Sequence, residues 1–213
     1  MIKRIFDLFF SISGVIILSP LLILFSVVIK LTLQGEVFFK QKRVGQDGKT
    51  FKIYKFRTMV KDAESKGKKI TVGKDIRITK IGHFLRKYKL DELPQLFNII
   101  KGEMSFVGPR PEVPEYVKYY NNKQREILEV KPGITDYASI YFSNESELLG
   151  KVDNPDEFYI NYIMPYKIKL NQKYINNINI FHDLKLIIMT ILKVAGIKYQ
   201  ETEITVDKLR KNN

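Results

Sequence analysis

No cysteine occurs anywhere in the 213 residues. That excludes disulfides, thiolate catalysis and cysteine-ligated zinc, and it fits a reducing compartment. Histidine is almost missing too, with 2 in the chain. His83 has no second His, Asp or Glu at ligand spacing beside it, so it reads as a surface or packing residue rather than a metal ligand. There is no Gly-rich phosphate loop. The most telling absence is local: between Asp7 and Lys30 there is no charged residue at all.

Leu8 to Ile29 makes an apolar run of 22 residues, and roughly 20 suffice to span a hydrocarbon core as a helix. Ser19-Pro20 sits near its middle. Proline lacks an N–H and its ring clashes with the carbonyl one turn back, so a kink is expected near Ser19. Lys3 and Arg4 precede the run, and Lys30, Lys40, Lys42 and Arg43 follow it, with Asp7 and Glu36 opposing. Basic flanks on both sides suit a hairpin that enters one leaflet, bends at Ser19-Pro20 and returns to the cytoplasmic face. The Ser19 hydroxyl is placed to bond a carbonyl freed by the bend. A kinked single span is the other arrangement these residues allow. The run exceeds a signal-peptide core and no small-x-small cleavage site follows it, so it is expected to be retained.

The remaining chain suffices for one domain with its own core. The expected division is an anchor over 1–33, a catalytic domain over 34–200 and a polar, frayed tail over 201–213. The net charge of +13 suits anionic headgroups, nucleotides and lipid phosphates. Nucleic acid is not the expected partner, since no nucleic-acid-binding fold or dense basic stripe is present.

Val37 to Val44 and Thr50 to Phe56 are β-branched and aromatic runs around Gly45-Gln46-Asp47-Gly48-Lys49, which predicts a β-hairpin. Val60 to Lys74 reads as a short helix and loop. Ile81 to Lys89 has helical spacing, with Ile81, Leu85, Phe84 and Tyr88 expected inward. Leu93, Leu96, Phe97 and Ile100 mark an amphipathic helix. Pro94 is tolerated only in a first turn, so this helix begins close to Asp91 and Glu92. Two adjacent carboxylates at a positive helix end, just after Arg86, Lys87 and Lys89, are expected to stay ionised. Such a pair is able to hold a divalent cation or act as a nucleophile. Acidic residues are also common at helix N-termini, and spacing alone does not choose.

Gly102 suits a left-handed cap. In Gly108-Pro109-Arg110-Pro111, Arg110 lies between two prolines that pre-order the backbone presenting its guanidinium. Tyr116 to Val130 reads as a charged helix, and Lys131-Pro132-Gly133-Ile134-Thr135 as a turn. Leu184, Ile187, Ile188, Ile191 and Ala195 form an apolar stripe for core packing or a membrane interface, with Gly196 as a stop.

Together these residues resemble the bacterial sugar transferase family of monotopic polyprenyl-phosphate phosphoglycosyl transferases. The resemblance runs from Lys3-Arg4-Ile5-Phe6-Asp7 to about Lys193. It rests on Ser19-Pro20, Lys55-Phe56-Arg57-Thr58-Met59, Leu85-Arg86, Leu90-Asp91-Glu92-Leu93-Pro94-Gln95, Gly102 to Pro111 and Lys131 to Thr135, six points in order. It implies an α+β fold: a re-entrant helix-break-helix anchor, a small, mostly helical catalytic domain with a β-hairpin, and interfacial amphipathic helices. It also implies transfer of sugar-1-phosphate from a UDP-sugar to undecaprenyl phosphate, with release of UMP, at the cytoplasmic face of the bacterial inner membrane. Carried over residue by residue, Asp91 is the nucleophile forming a covalent phosphosugar intermediate, and Glu92 binds Mg²⁺. Lys55, Arg86 and Arg110 contact or organise phosphates, and Ser19, Pro20, Pro109 and Pro111 are structural.

After Thr135 the chain departs from the commoner family pattern, with Asp136-Tyr137-Ala138-Ser139 and Phe142-Ser143-Asn144. That segment is expected near the sugar pocket. The competing reading, a non-catalytic protein holding anionic lipid or a partner enzyme, does not need Asp91, Glu92 and Arg110 together.

Overall fold

A computed structural model describes residues 2–33, 35–63, 72–73, 75–197 and 204–211. Helix α1 (Ile2–Thr32) leads into an antiparallel hairpin of β1 (Phe38–Val44) and β2 (Thr50–Phe56), with Phe38 opposite Phe56 and Gln41 opposite Ile53. Helix α2 (Lys80–Lys87) follows, then a 3₁₀ turn over Leu90–Gln95 that continues as α3 (Leu96–Lys101). Strand β3 (Ser105–Val107) comes next, then short helices α4 (Pro114–Val117) and α5 (Asn122–Arg125) and strand β4 (Gly133–Thr135). Helices α6 (Tyr137–Tyr141), α7 (Glu145–Leu149), α8 (Pro155–Phe158), α9 (Met164–Ile175), α10 (Ile180–Val194) and α11 (Val206–Lys211) complete the body.

Helix α1 would be about 46 Å long if straight, and it touches the body along its whole length. Lys3 pairs with Asp183 of α10. Arg4 donates to the carbonyls of Ile99 at 2.6 Å and Ile100 at 2.9 Å, covering groups that the end of α3 leaves without helical partners. Asp7 is buried, and its Oδ1 accepts from Ser105 Oγ and the Phe106 amide. Val15 and Leu18 pack on Ile53 and Leu96; Leu22, Phe25 and Ile29 pack on Phe56 and Leu85. The opposite face of α1, including Ile5, Phe9, Ile16, Ile23 and Leu31, is exposed. The expected break at Ser19-Pro20 is not a gap between two helices, because the backbone stays helical with Pro20 inside it.

The main core gathers Ala138, Phe142, Leu149, Tyr159, Ile163 and Ile168 from α6 to α9. A smaller one joins Val107 and Ile140 to Tyr174, Leu186 and Met189, seating α9 and α10 on β3.

Several expectations change on folding. Tyr116–Val130 is not one helix: Asn121 caps α5 through a reciprocal bond with Gln124 and so starts a new helix in mid-run. Phe84 and Tyr88 point outward, while Leu85 is fully buried. Of the two settings open to the stripe on α10, core packing does not hold for Leu184, Ile188 and Ile191, which are exposed while Asp183, Leu186 and Met189 occupy the inner face. The expected frayed tail forms α11, with Ile204 and Leu209 packed into the main core. Most of the helix and loop expected over Val60 to Lys74 lies outside the described residues.

Candidate active site

The Asp91-Glu92 pair is carried by the 3₁₀ turn, which begins after Lys89 in a left-handed conformation (φ 56°). The reversal at Lys89 ends α2 and sends the next turn back toward β2. Lys55 and Ile53 share a strand face; Ile53 packs on Leu96 and Ile99, and Lys55 Nζ reaches Glu92 Oε1 at 2.7 Å.

Arg110 approaches the same carboxylate from the other side. Its Nη1 donates to Glu92 Oε2 at 3.2 Å, and its Nη2 donates to Glu92 Oε1. The local backbone is set by a close crossing of two chain segments. A Cβ on Gly108 would meet the Lys131 carbonyl at 2.3 Å, and one on Gly133 would meet the Gly108 amide at 2.1 Å. Glycine at both points lets β3 and β4 pair in parallel, Ser105 with Gly133 and Val107 with Thr135. Gly133 N–H donates to the Pro109 carbonyl at 3.0 Å. The Lys131–Thr135 segment therefore supplies the strand partner of β3, the strand that leads into the Pro-Arg-Pro segment, a role its turn signature did not reveal.

Arg86 is anchored separately. Its Nε donates to Thr58 Oγ1 at 2.8 Å, and Thr58 O accepts from both the amide and the hydroxyl of Thr79, the N-cap of α2. Arg86 acts on Asp91 through its field.

The two carboxylates differ in electrostatic character. For Glu92, burial works against charge, but Arg110 and Lys55 outweigh it and hold the group well below the usual carboxylate range. Asp91 moves the other way. Burial, then the charge of Glu92, raise it against the pull of Lys55, Arg86 and Lys89. The flanking positive charge thus outweighs burial at Glu92, whereas at Asp91 burial and the neighbouring Glu92 charge outweigh it. Burial lowers Lys55 to about 8, despite the opposing effect of Glu92. Arg110 is raised, chiefly by Glu92.

Asp91 Oδ1 is buried without a hydrogen-bond partner. Among the described residues, no group of three or more His, Asp or Glu side chains converges as a metal cage. The donor set still fits a hard divalent cation, which commonly takes one or two carboxylates plus substrate phosphates. Asp91 offers an unpaired oxygen, and the Glu92 carboxylate retains lone pairs beyond its contacts.

Two residues with roles here were missed in the sequence. Asp136 accepts from the Arg110 amide through Oδ2 at 3.2 Å, while its Oδ1 caps α6 at Ser139. The Asp-x-x-Ser start of a helix is the signal that would have marked the cap. The divergent segment thus lies directly against Arg110. Asn98, fully buried, accepts from the Tyr54 amide and donates to the Lys52 carbonyl and to Glu103, binding α3 to β2. Nothing in its spacing announced that.

This dyad under two cations, behind an apolar N-terminal helix, defines a class. The bacterial sugar transferase family matches residues 1–196, and the chain belongs to it. An uncharacterized sugar transferase, EpsL, of Bacillus subtilis (strain 168) is 39% identical over 91% of this chain and 87% of its own length. A UDP-glucose:undecaprenyl-phosphate glucose-1-phosphate transferase of Klebsiella pneumoniae is 39% identical over 90% of this chain, which spans 39% of that longer protein. A UDP-N-acetylgalactosamine-undecaprenyl-phosphate N-acetylgalactosaminephosphotransferase of Aeromonas hydrophila is 35% identical over 89% of this chain and 43% of its own length.

Proposed function

We propose that this chain transfers a sugar-1-phosphate from a UDP-sugar to undecaprenyl phosphate, releasing UMP, as the first membrane step of surface polysaccharide assembly. One observation carries the mechanism: of two adjacent, largely buried carboxylates, Glu92 is committed to Lys55 and Arg110, while Asp91, which keeps 7% exposure, makes no hydrogen bond or ion pair among the described residues. A committed carboxylate organises charge; an uncommitted one is free to attack.

In the first half-reaction an Asp91 oxygen bonds to the phosphorus bearing the sugar, and the bond from that phosphorus to the bridging oxygen breaks. UMP leaves with the bridging oxygen and its electron pair. In the second, an oxygen of the lipid phosphate attacks the same phosphorus and the aspartyl P–O bond breaks, which regenerates the carboxylate and gives the sugar diphospholipid. Both steps bring anion to anion. Lys55, Arg86 and Arg110 lower that repulsion, with Arg110 and Lys55 passing between Glu92 and the incoming phosphates. Mg²⁺, held by Glu92 and the substrate diphosphate, would supply further charge neutralisation.

The membrane reading draws on the contacts of α1. Lys3 and Arg4 at one end, and Leu22 to Ile29 toward the other, all touch one body. A helix crossing the bilayer would carry one end about 30 Å away from it. We therefore take α1 as re-entrant, its outward apolar face in lipid at the cytoplasmic side of the inner membrane. The exposed Phe181, Ile188 and Ile191 of α10 would lie in the interface, and the chain's positive charge against anionic headgroups.

The test is UMP release from a panel of UDP-sugars with undecaprenyl phosphate and Mg²⁺, together with intact mass after incubation without lipid acceptor. A phosphosugar adduct mapped to Asp91 is expected. An adduct on Glu92, or turnover by Asp91→Asn, would show the roles wrongly assigned.

A further inference from the structure

One face of the hairpin carries Lys40, Lys42, Lys52 and Tyr54 beside Phe38 and Phe56, since side chains alternate along a strand and paired residues share a side. No acid stands among these six residues. Lys40 lies opposite Tyr54, and Lys42 lies directly opposite Lys52. Like charges so placed destabilise a sheet. A fourth cation joins them from the end of α3, where Lys101 Nζ donates to Tyr54 Oη at 2.7 Å and sits 4.6 Å from the ring centroid. All four lysines are exposed. None makes an ion pair among the described residues. Glu103, the acid whose field reaches Lys101, is already bonded to Asn98 at 2.7 Å. The fold thus gathers positive charge here and leaves it unneutralised.

The position of this face says what it meets. At one end Phe56 packs edge-on against Phe25 of α1, with centroids 6.2 Å apart, and Phe38 stacks on Phe56. At the other, Lys101 follows Ile99 and Ile100, whose carbonyls are held by Arg4 of α1. The lysines therefore border the helix whose outward face is assigned to lipid. Beside a bilayer a lysine gains from the negative surface potential while its stem covers apolar surface, and tyrosine favours the headgroup level. An acidic protein would match the charge but not the place beside α1.

We propose that the Lys40, Lys42, Lys52 and Lys101 face is a second membrane contact, separate from α1, which docks on the phosphates of anionic phospholipid headgroups and fixes the tilt of the catalytic body. The inference rests on α1 lying in lipid. A single helix in the bilayer leaves the body free to roll about the helix axis, and a contact away from that axis removes the freedom.

The test uses the full chain with a fluorophore on Lys49→Cys, an exposed site beside the hairpin turn, in nanodiscs that carry a headgroup-bound quencher. Nanodiscs of phosphatidylcholine alone are compared with nanodiscs that also contain phosphatidylglycerol. Quenching is expected to increase with phosphatidylglycerol, and the increase to be lost in about 1 M salt, where the Debye length is about 3 Å. It should also be lost when Lys40→Gln, Lys42→Gln, Lys52→Gln and Lys101→Gln are combined. Tm of that variant should be nearly unchanged, since loss of the exposed Lys101 bond is set against relief of the like-charge pair. No increase in the wild-type lysine background, or an increase that survives the four substitutions, overturns the docking face and leaves α1 in place. KM for undecaprenyl phosphate in neutral nanodiscs should stay within about twofold of wild type. A larger rise would put the acceptor phosphate on this face in place of bulk headgroups and overturn the proposal. If the wild-type chain does not enter neutral nanodiscs, the lipid reading of α1 fails, and the docking face fails with it.

Discussion

The Ser19 hydroxyl donates to the Ile16 carbonyl at 2.8 Å, the same carbonyl that Pro20, lacking an N–H, leaves without its helical partner. Proline and serine therefore act as a unit, one removing a hydrogen bond and the other restoring it. This pairing explains how a proline sits inside α1 with no gap in the helix. Ser19→Ala is expected to cost about 1–3 kcal/mol beside Pro20 and close to nothing in a Pro20→Ala background, where the residue-20 amide reaches Ile16. Thermal unfolding of the four variants in nanodiscs checks this, and equal costs in both backgrounds would separate the two residues.

The chain has no cysteine, which makes topology directly readable. Ile2→Cys and Lys49→Cys, both at exposed positions, are expected to label only from the cytoplasmic side. Labelling of residue 2 from outside intact cells would establish a spanning helix.

Removing the Glu92 charge should separate stability from chemistry. Glu92→Gln leaves Lys55 and Arg110 facing each other in a site where all three side chains are largely buried. Breaking a buried pair from one side typically costs about 3–5 kcal/mol. A lower Tm and a raised Mg²⁺ requirement are expected, because a carboxamide is the poorer ligand for a hard cation. Asp91→Asn, whose carboxylate makes no hydrogen bond or ion pair among the described residues, should leave Tm nearly unchanged while abolishing turnover.

Arg110→Lys keeps the charge but not the fork that engages both oxygens of Glu92. A single ammonium cannot reproduce that geometry, so kcat is expected to fall on the order of tenfold or more. Wild-type kinetics would remove Arg110 from the site.

Lys55 supplies a pH dependence. Burial lowers it to about 8, so its charge on Glu92 is present below that pH and lost above it. Activity should decline on the alkaline side through about pH 8. Lys55→Arg carries a guanidinium that stays charged and should move that limb upward, whatever it does to the maximum rate. An unmoved limb in kcat against pH would assign the decline to another group.

What the sequence determined by itself was local or one-dimensional. The uncharged run from Leu8 to Ile29, the hairpin around Gly45–Lys49 and the glycine cap at Gly102 follow from spacing and from backbone preferences that hold wherever the segment lies. The Asp91-Glu92 pair and Arg110 were visible as residue types in suggestive company. Only the tertiary structure decided how they divide the work, because that depends on which cation arrives at which oxygen. Lys55 comes from 37 residues upstream and Arg110 from the loop after β3, placed by the close passage of Gly108 and Gly133. Burial pushes both carboxylates up, and only at Glu92 do Arg110 and Lys55 outweigh it, so the two groups move in opposite directions. The same holds for Phe84 and for the stripe on α10: helical spacing says which residues share a face, but only the packed body says whether that face turns inward.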